Sequence, residues 1–284
     1  MLIDAHVRPA LFEPICRDKS RLDSRCDAMH YHKMNPTGMD LLKKQYNLAG
    51  ITGVFLLPSD CSFETGSTEI SNDEIAKIVA LDPDLYYGFA SVDPRDRNSA
   101  AELIRSFKDL GLCGLYLNTS RLHIYPEDAR IFAMLDICRE YGKPVIFHAG
   151  LSFEKDALAK FSRPIEFESV IAKYSDINFC LTHMGWPWVQ ETSALLLKYP
   201  NAYANTALMN FDGPYQIYRK VFREDMGELW VEHNLSEKII FGSGSPRIRP
   251  VRSKRGLDSL GFSEETRKKI YYGNAMRFLG SKEN

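Results

Sequence analysis

The 284-residue sequence predicts an α/β fold in which eight parallel strands and their helices close into a single (β/α)8 TIM barrel. Short apolar runs alternate with longer amphipathic stretches along the whole chain, as they do in repeated βα units. The apolar runs are continuous, as in Ile239-Ile240-Phe241, which is typical of strands buried on both faces. No GxGxxG or GxxxxGK(S/T) loop follows a strand, and this disfavours the alternative, an open doubly wound sheet.

The strands and helices follow from these patterns in chain order. Strands are predicted over Leu2–His6, Gly53–Leu57, Tyr86–Val92, Cys113–Asn118, Pro144–His148, Asn178–His183, Ala202–Thr206 and Lys238–Ser243. Helices are predicted over Thr37–Leu48, Asn72–Leu81, Ser99–Leu110, Glu127–Tyr141, Ile165–Tyr174, Trp188–Tyr199, Tyr215–His233 and Ser263–Leu279. Ser71 and Glu74 provide capping oxygens and negative charge at one helix start. Gly111 and Gly142 follow helical runs, where a left-handed residue is often needed.

One connection is unusually long, since about thirty residues from Val7 to Pro36 separate the first strand from the first helix. Long loops at this end of a barrel cover the active site. The loop contains residues of zinc-ligand type, but their spacing fits no standard zinc pattern, so an ordinary polar loop is the favoured interpretation. These residues are Cys16, Cys26, His30 and His32. No linker or repeat is evident, so residues 1–284 are expected to form one domain.

The charge balance limits the classes of partner. The chain has 36 basic and 37 acidic residues and a formal net charge of −1, so neither a nucleic-acid nor a membrane partner is expected. No run of 18 apolar residues occurs, and the first residues lack the pattern of a signal peptide. The six cysteines are scattered without a CxxC pair, which favours a cytoplasmic protein without disulfides.

Three of the seven histidines follow three different predicted strands. His6 ends the first strand, His148 the fifth and His183 the sixth. Because the carboxyl ends of barrel strands share one rim, these imidazoles are expected to meet there. Converging histidines can bind a divalent metal or act as general acid and base, so all three are candidate catalytic residues.

The order of several motifs resembles that of the amidohydrolase-related family of metal-dependent hydrolases and decarboxylases. The matching segments are Ile3-Asp4-Ala5-His6, Gly111-Leu112-Cys113-Gly114-Leu115-Tyr116-Leu117, Pro144-Val145-Ile146-Phe147-His148-Ala149-Gly150, Leu181-Thr182-His183-Met184-Gly185, Pro200-Asn201-Ala202-Tyr203-Ala204-Asn205-Thr206, Ile240-Phe241-Gly242-Ser243 and Tyr272-Gly273-Asn274-Ala275-Met276-Arg277-Phe278-Leu279. The resemblance implies one divalent metal, zinc or manganese, held by His6 and His148. It implies that His183 acts on substrate or water, and it allows a homodimer.

The sequence departs from the family's pattern at the metal site. Arg8 stands where the resemblance implies a second histidine ligand, and Gly244 stands where it implies an aspartate. Asn205 replaces a carboxylate often found after the seventh strand. An arginine does not lose its proton in a protein, so Arg8 repels a cation. A metal site of the usual kind is therefore not expected.

The same departures favour an anionic substrate. Arg8 and Arg247 lie closest to the rim in the sequence, and arginine binds carboxylates through two parallel hydrogen bonds. Trp186 offers a flat face for a ring, and Asn118 and Asn205 could donate hydrogen bonds to a carbonyl or carboxylate. Four further basic side chains are equally compatible with substrate binding and with a solvated loop. They are Arg249, Arg252 and Arg255, with Lys254 between them.

Three functions are therefore considered. The first is a hydrolase of a small carboxylated lactone or ester that needs no metal, in which His183 is the general base and His6 and His148 polarise the carbonyl. The second is a metal-dependent non-oxidative decarboxylase of an aromatic acid. The third is a catalytically inactive barrel that binds an anionic metabolite.

Overall fold

The computed structural model describes residues 1–65, 68–209 and 211–280. Its strands form one eight-stranded parallel sheet in chain order, each strand pairing with the next. The strands are β1 (Ile3–Val7), β2 (Gly53–Leu56), β3 (Tyr86–Ala90), β4 (Gly114–Leu117), β5 (Val145–Phe147), β6 (Phe179–Leu181), β7 (Ala202–Asn205) and β8 (Ile239–Ile240). The predicted barrel class is confirmed, and each predicted strand contains the observed one except the first, where β1 extends one residue beyond the prediction, to Val7.

The last strand returns to the first and closes the barrel. The residues after β8 bond to β1, since the Ala5 amide donates to the Phe241 carbonyl and the Arg8 amide to that of Ser245, both at 2.8 Å. The buried carboxylate of Asp4 accepts hydrogen bonds from the amides of Ser243 and His6. This closure places the ends of β1 and β8 side by side at the rim.

The apolar core has two layers. Inside the barrel, Phe55, Phe89 and Tyr116 pack among side chains from alternate strands. Phe278, near the end of the described chain, closes the bottom, with its ring 6.3 Å from Phe55 and 6.4 Å from Phe89. A larger layer lies between the sheet and the surrounding helices. Burial on both faces explains why the strand sequences are continuously apolar.

The helices are α1 (Lys19–Ala28), α2 (Met39–Ala49), α3 (Ser62–Thr65), α4 (Asn72–Val79), α5 (Ser99–Lys108), α6 (Thr119–Leu122), α7 (Ala129–Glu140), α8 (Glu168–Lys173), α9 (Val189–Lys198), α10 (Pro214–Arg219), α11 (Pro250–Asp258), α12 (Glu264–Lys268) and α13 (Asn274–Phe278). Two predicted helices are interrupted. The stretch from 215 to 233 is broken at Gly227, whose φ of 124° no helix accommodates. The last helix carries a π-helical turn at Lys269–Gly273 between α12 and α13.

The basic segment after β8 is a helix, which corrects the expectation of a loop. Pro250 occupies the first turn of α11, where its missing N–H is tolerated. Arg249, Arg252 and Arg255 are exposed around this helix. Lys254 pairs with Asp258 one turn away, at 2.6 Å. Within the described chain, no helix has the length and apolar character needed to span a bilayer.

The long connection after β1 folds over the rim as a structured cover that includes α1. Arg25 of α1 is fully buried and anchors this cover to the barrel. Its guanidinium donates to the carbonyls of Ile15 and Glu69 and pairs with the carboxylate of Glu74. On the other side, Lys155 pairs with Asp27 at 2.8 Å. The cover is therefore fixed at both edges.

Candidate active site

The three strand-end histidines meet at the rim beneath the cover. The ring centroids of His6 and His183 are 4.7 Å apart, and those of His148 and His183 are 4.9 Å apart. The spatial convergence expected from their strand positions is therefore present, whereas their catalytic roles stay predictions. They border a cavity that opens to solvent. Other lining residues include Arg8, Met29, Tyr31, Glu154, Trp186, Gly244 and Arg247.

His183 lies in a left-handed backbone turn. Its φ is 61°, followed by 51° at Met184 and 63° at Gly185. Such angles are uncommon for residues other than glycine and store strain, which structures tolerate mostly at functional sites. The turn directs Nδ1 of His183 to the carbonyl of Ala207 at 2.6 Å. Because a carbonyl only accepts, Nδ1 carries the proton and Nε2 has a free lone pair.

Burial keeps the histidines neutral. It lowers the pKa of His183 to about 4, with a further contribution from the positive charge of Arg8. Burial and the neighbouring His183 hold the pKa of His6 and of His148 well below the ordinary value of 6.5. All three imidazoles are therefore neutral at pH 7, and a neutral ring can accept or donate a proton but does not attract an anion.

Arg8 provides a buried positive charge in the cavity, and only one nitrogen of its guanidinium has partners among the described residues. Nη1 donates to the Tyr116 hydroxyl at 2.9 Å and pairs with Glu154 at 2.8 Å. Nε and Nη2 are buried and have no hydrogen-bond partner among the described residues. Buried donors without partners are rare and require an explanation. This free edge has the shape that binds a carboxylate through two hydrogen bonds.

Glu154 is a residue of the cavity that the sequence did not indicate. It follows β5 on a long loop, and its second carboxylate oxygen accepts from Nδ2 of Asn118 at 2.8 Å. Asn118 itself caps α6 through its Oδ1. Asn118 is thus placed behind Glu154 and is not among the described residues that line the cavity. No local pattern marks Glu154, because tertiary contacts determine the path of its loop.

Arg247 and Trp186 both line the cavity. Nη2 of Arg247 donates to the carbonyl of Met29 at 2.6 Å, and its guanidinium lies 4.9 Å from the ring of Tyr31. Arg247 is therefore tied to the cover. The indole of Trp186 packs 5.2 Å from the ring of Phe211. Substrate binding by Arg247 or Trp186 stays a prediction. Binding by the exposed arginines of α11 also stays a prediction, and these arginines are not among the described residues that line the cavity.

Asn205 is fully buried at the end of β7 and contacts two of the histidines. Its Oδ1 accepts from the amide of His183 at 3.0 Å, and its Nδ2 lies 3.3 Å from Nδ1 of His6. Direct substrate binding was predicted for this side chain. It is not among the described residues that line the cavity, so any effect on a substrate would pass through the imidazoles.

Comparison with known proteins identifies the family. A model of the Amidohydrolase family matches residues 3–281. The chain therefore belongs to the amidohydrolase family, which confirms the predicted resemblance and places it among amidohydrolase-related enzymes.

Two relatives match parts of the chain. The protein fluG of Emericella nidulans is 30% identical over 118 residues, which are 39% of this chain and 13% of fluG. A 2-amino-3-carboxymuconate-6-semialdehyde decarboxylase of Dictyostelium discoideum is 22% identical over 247 residues, which are 75% of this chain and 66% of that protein. The match covers less than two thirds of the length of either relative.

Three solved structures share the fold. An uncharacterized TIM-barrel protein from Bordetella bronchiseptica has a TM-score of 0.73 at 22% identity over 98% of both chains. A probable 2-pyrone-4,6-dicarboxylic acid hydrolase from Acinetobacter baumannii, with citric acid bound, has a TM-score of 0.68 at 15% identity over 98% of this chain and 99% of that one. A dihydroxybenzoic acid decarboxylase from Polaromonas sp. JS666, with bound manganese and 2-nitroresorcinol, has a TM-score of 0.66 at 16% identity over 98% of this chain and 96% of that one.

The manganese in that decarboxylase raises the question of whether the residues present here could hold a divalent metal. Across residues 1–65, 68–209 and 211–280, no three His, Cys, Asp or Glu side chains are grouped to hold an ion. Arg8 directs its charge into the same cavity, and Gly244 contributes only its amide, which donates to the His6 carbonyl at 3.1 Å. As these side chains lie, the donor set does not fit a metal.

Proposed function

We propose that this protein is a hydrolase of a small carboxylated lactone or ester and that it works without a metal ion. The observation that carries the proposal is the free edge of Arg8, which is buried in the same cavity as the neutral His183. Arg8 binds the substrate's carboxylate, and His183 accepts a proton from water. The cavity is lined mostly by apolar and aromatic side chains with a few polar groups among them, as small-molecule sites are.

The reaction is a two-stage acyl transfer to water. Nε2 of His183 takes a proton from water while the water oxygen bonds to the carbonyl carbon. The carbonyl oxygen becomes an oxyanion, which the imidazoles of His6 and His148 face across the cavity. When the carbon–oxygen bond of the ester breaks, the protonated Nε2 returns its proton to the leaving oxygen. Atoms and charges balance without a further reactant.

Non-oxidative decarboxylation of an aromatic acid is the second candidate. It is favoured by the relative from Dictyostelium discoideum, which is a decarboxylase. In that reaction, Arg8 would hold the substrate's anionic groups and a histidine would deliver a proton to the carbon that loses CO2. The candidate is weaker because the described residues offer no metal site.

The test is turnover of two compound panels, carboxylated lactones and aromatic acids, by protein of measured metal content treated with a chelator. Hydrolysis releases a proton that a pH-stat records, whereas decarboxylation releases CO2. We expect hydrolysis that survives chelation and falls by about 10²-fold or more in His183→Asn, which removes the base.

The matched control is His123→Asn. His123 also has a positive φ, 55°, and also contacts a backbone carbonyl at 2.6 Å through a ring nitrogen, but it is exposed. This variant should retain full activity. Loss of turnover on chelation would overturn metal independence, and binding without turnover in both panels would favour an inactive metabolite-binding barrel.

A further inference from the structure

We infer that Asn205 is a positioning residue that holds His6 in the tautomer opposite to that of His183 and, by doing so, keeps this rim from binding a metal. The inference deepens the proposed function, because it assigns a donor and an acceptor to the two imidazoles. It rests on the hydrogen bonds around one buried amide, which can be tested without any substrate.

The orientation of the Asn205 amide is determined by its own oxygen. Oδ1 accepts from two backbone amides, that of His183 at 3.0 Å and that of Ala207 at 3.3 Å. A backbone N–H can only donate, so the oxygen must occupy this position. The NH2 group therefore points the other way, toward His6. Asn205 is fully buried, so solvent does not compete for these bonds.

The orientation of the amide determines the tautomer of His6. Nδ2 of Asn205 lies 3.3 Å from Nδ1 of His6, and an amide nitrogen can only donate. Nδ1 of His6 is therefore the acceptor, and the proton of the neutral ring lies on Nε2. His183 has the reverse arrangement, since its Nδ1 donates to the Ala207 carbonyl. One ring thus presents an N–H group and the other presents a lone pair.

The two tautomers suit different parts of the proposed reaction. The free Nε2 of His183 accepts a proton from water, and the N–H of His6 donates a hydrogen bond to the oxyanion. The centroid separation of 4.7 Å allows one small group to contact both rings. Asn205 acts only through these rings and is not itself catalytic.

The same arrangement explains the mismatch with a metal. A ring nitrogen that carries a proton has no lone pair with which to coordinate an ion, so Nε2 of His6 is blocked. Asn205→Asp would reverse this state. One oxygen of the new carboxylate would still accept hydrogen bonds from both backbone amides, and the other would accept a hydrogen bond from Nδ1–H of His6. Nε2 of His6 would then have a free lone pair.

The experiment is NMR of protein labelled with ¹⁵N-histidine, in which protonated and unprotonated ring nitrogens resonate far apart. The signals of His6 are assigned by their loss in His6→Gln. In the wild type we expect His6 protonated on Nε2 and His183 protonated on Nδ1. In Asn205→Asp we expect His6 protonated on Nδ1. Asn98→Asp makes the same charge change at an exposed site and should leave both tautomers unchanged.

A His6 ring protonated on Nδ1 in the wild type would overturn the inference, and the wild-type spectrum decides this even if the variant fails to fold. Zinc affinity, measured by competition with a chelating dye, should be at least about 10-fold higher in Asn205→Asp than in the wild type. Equal zinc affinity would overturn the part that concerns metal. If the tautomers are as expected but neither compound panel is turned over, only the proposed function fails.

Discussion

Replacing Glu154 by glutamine should tighten the binding of carboxylate ligands in the cavity. Glu154 lies 2.8 Å from Nη1 of Arg8, so its charge offsets the field that an incoming carboxylate would meet. Glutamine keeps the shape and an oxygen acceptor for Asn118 but removes the charge. Arg8 stays ionised in the variant, because arginine does not lose its proton in a protein.

The size of the effect follows from the geometry of one guanidinium. Carboxylates on two of its edges lie roughly 6 Å apart, where like charges repel by ~3 kcal/mol at an effective dielectric constant of about 20. The side chain of Glu154 is 12% exposed, so water screens part of this repulsion. Because about 1.4 kcal/mol corresponds to a tenfold change in Kd, we expect binding to tighten by about 10- to 100-fold.

The assay is isothermal titration calorimetry with benzoate and with neutral benzamide. Glu154→Gln should strengthen the binding of benzoate but not of benzamide, and Glu154→Asp, which keeps the charge, should change neither by as much. The ligand-free variant should also have a lower Tm, because Arg8 loses its partner, and benzoate should restore more of that loss than in the wild type. Unchanged or weaker benzoate binding in a folded variant would refute this account of the cavity.

Three further outcomes are expected. Since the pKa of His183 is about 4, kcat/KM should be level from about pH 5.5 to 8 and fall below about pH 4 as the base is protonated. The same shift makes this group's contribution to the free energy of unfolding complete above the ordinary pKa of 6.5, and that contribution is lost as the pH falls toward 4. Thermal melts at acid pH, compared between the wild type and His183→Asn, measure this loss. Arg25→Met should lower stability by about 3 kcal/mol, because it removes one of the two arginines that pair with Glu74 and leaves two carbonyls without their donor. Hydrogen exchange should be faster in α1 than in β1, whereas equal rates would contradict the anchoring role of Arg25. Gly150→Ala should destabilise the protein by about 1–3 kcal/mol and weaken benzoate binding, because the new methyl meets the Trp186 backbone, and an unchanged Tm would contradict this.

The sequence was sufficient for the barrel because its strands need continuous apolar runs, and each observed strand coincides with a predicted one to within one residue outside its bounds. It was insufficient for α1 and α11. Neither helix is marked by a regular apolar stripe, and both are held by contacts between distant segments. Arg25 holds α1, and in α11 Gly256 packs so closely on Tyr218 that a side chain there would collide with it. Such contacts are not visible as a local period.

The candidate site divides in the same way. The positions of His6, His148 and His183 follow from strand ends, which the sequence shows. The direction in which a polar side chain turns does not follow from the sequence, so the contacts of Asn205 with the His6 imidazole and the His183 backbone amide could not be predicted. Glu154 was missed because it lies in a loop without a periodic pattern. Its position depends on Arg8, which is distant in sequence.

The left-handed turn from His183 to Gly185 restricts the substitutions that this rim can accumulate. Glycine, asparagine and aspartate adopt such angles at low cost, whereas β-branched residues do not. Changes at Met184 are therefore channelled toward a few small or polar residues, although the side chain is fully buried and apolar. In a library of variants at position 184, the backbone conformation would determine first which residues are tolerated, and packing would matter second. In the barrel core, packing matters first.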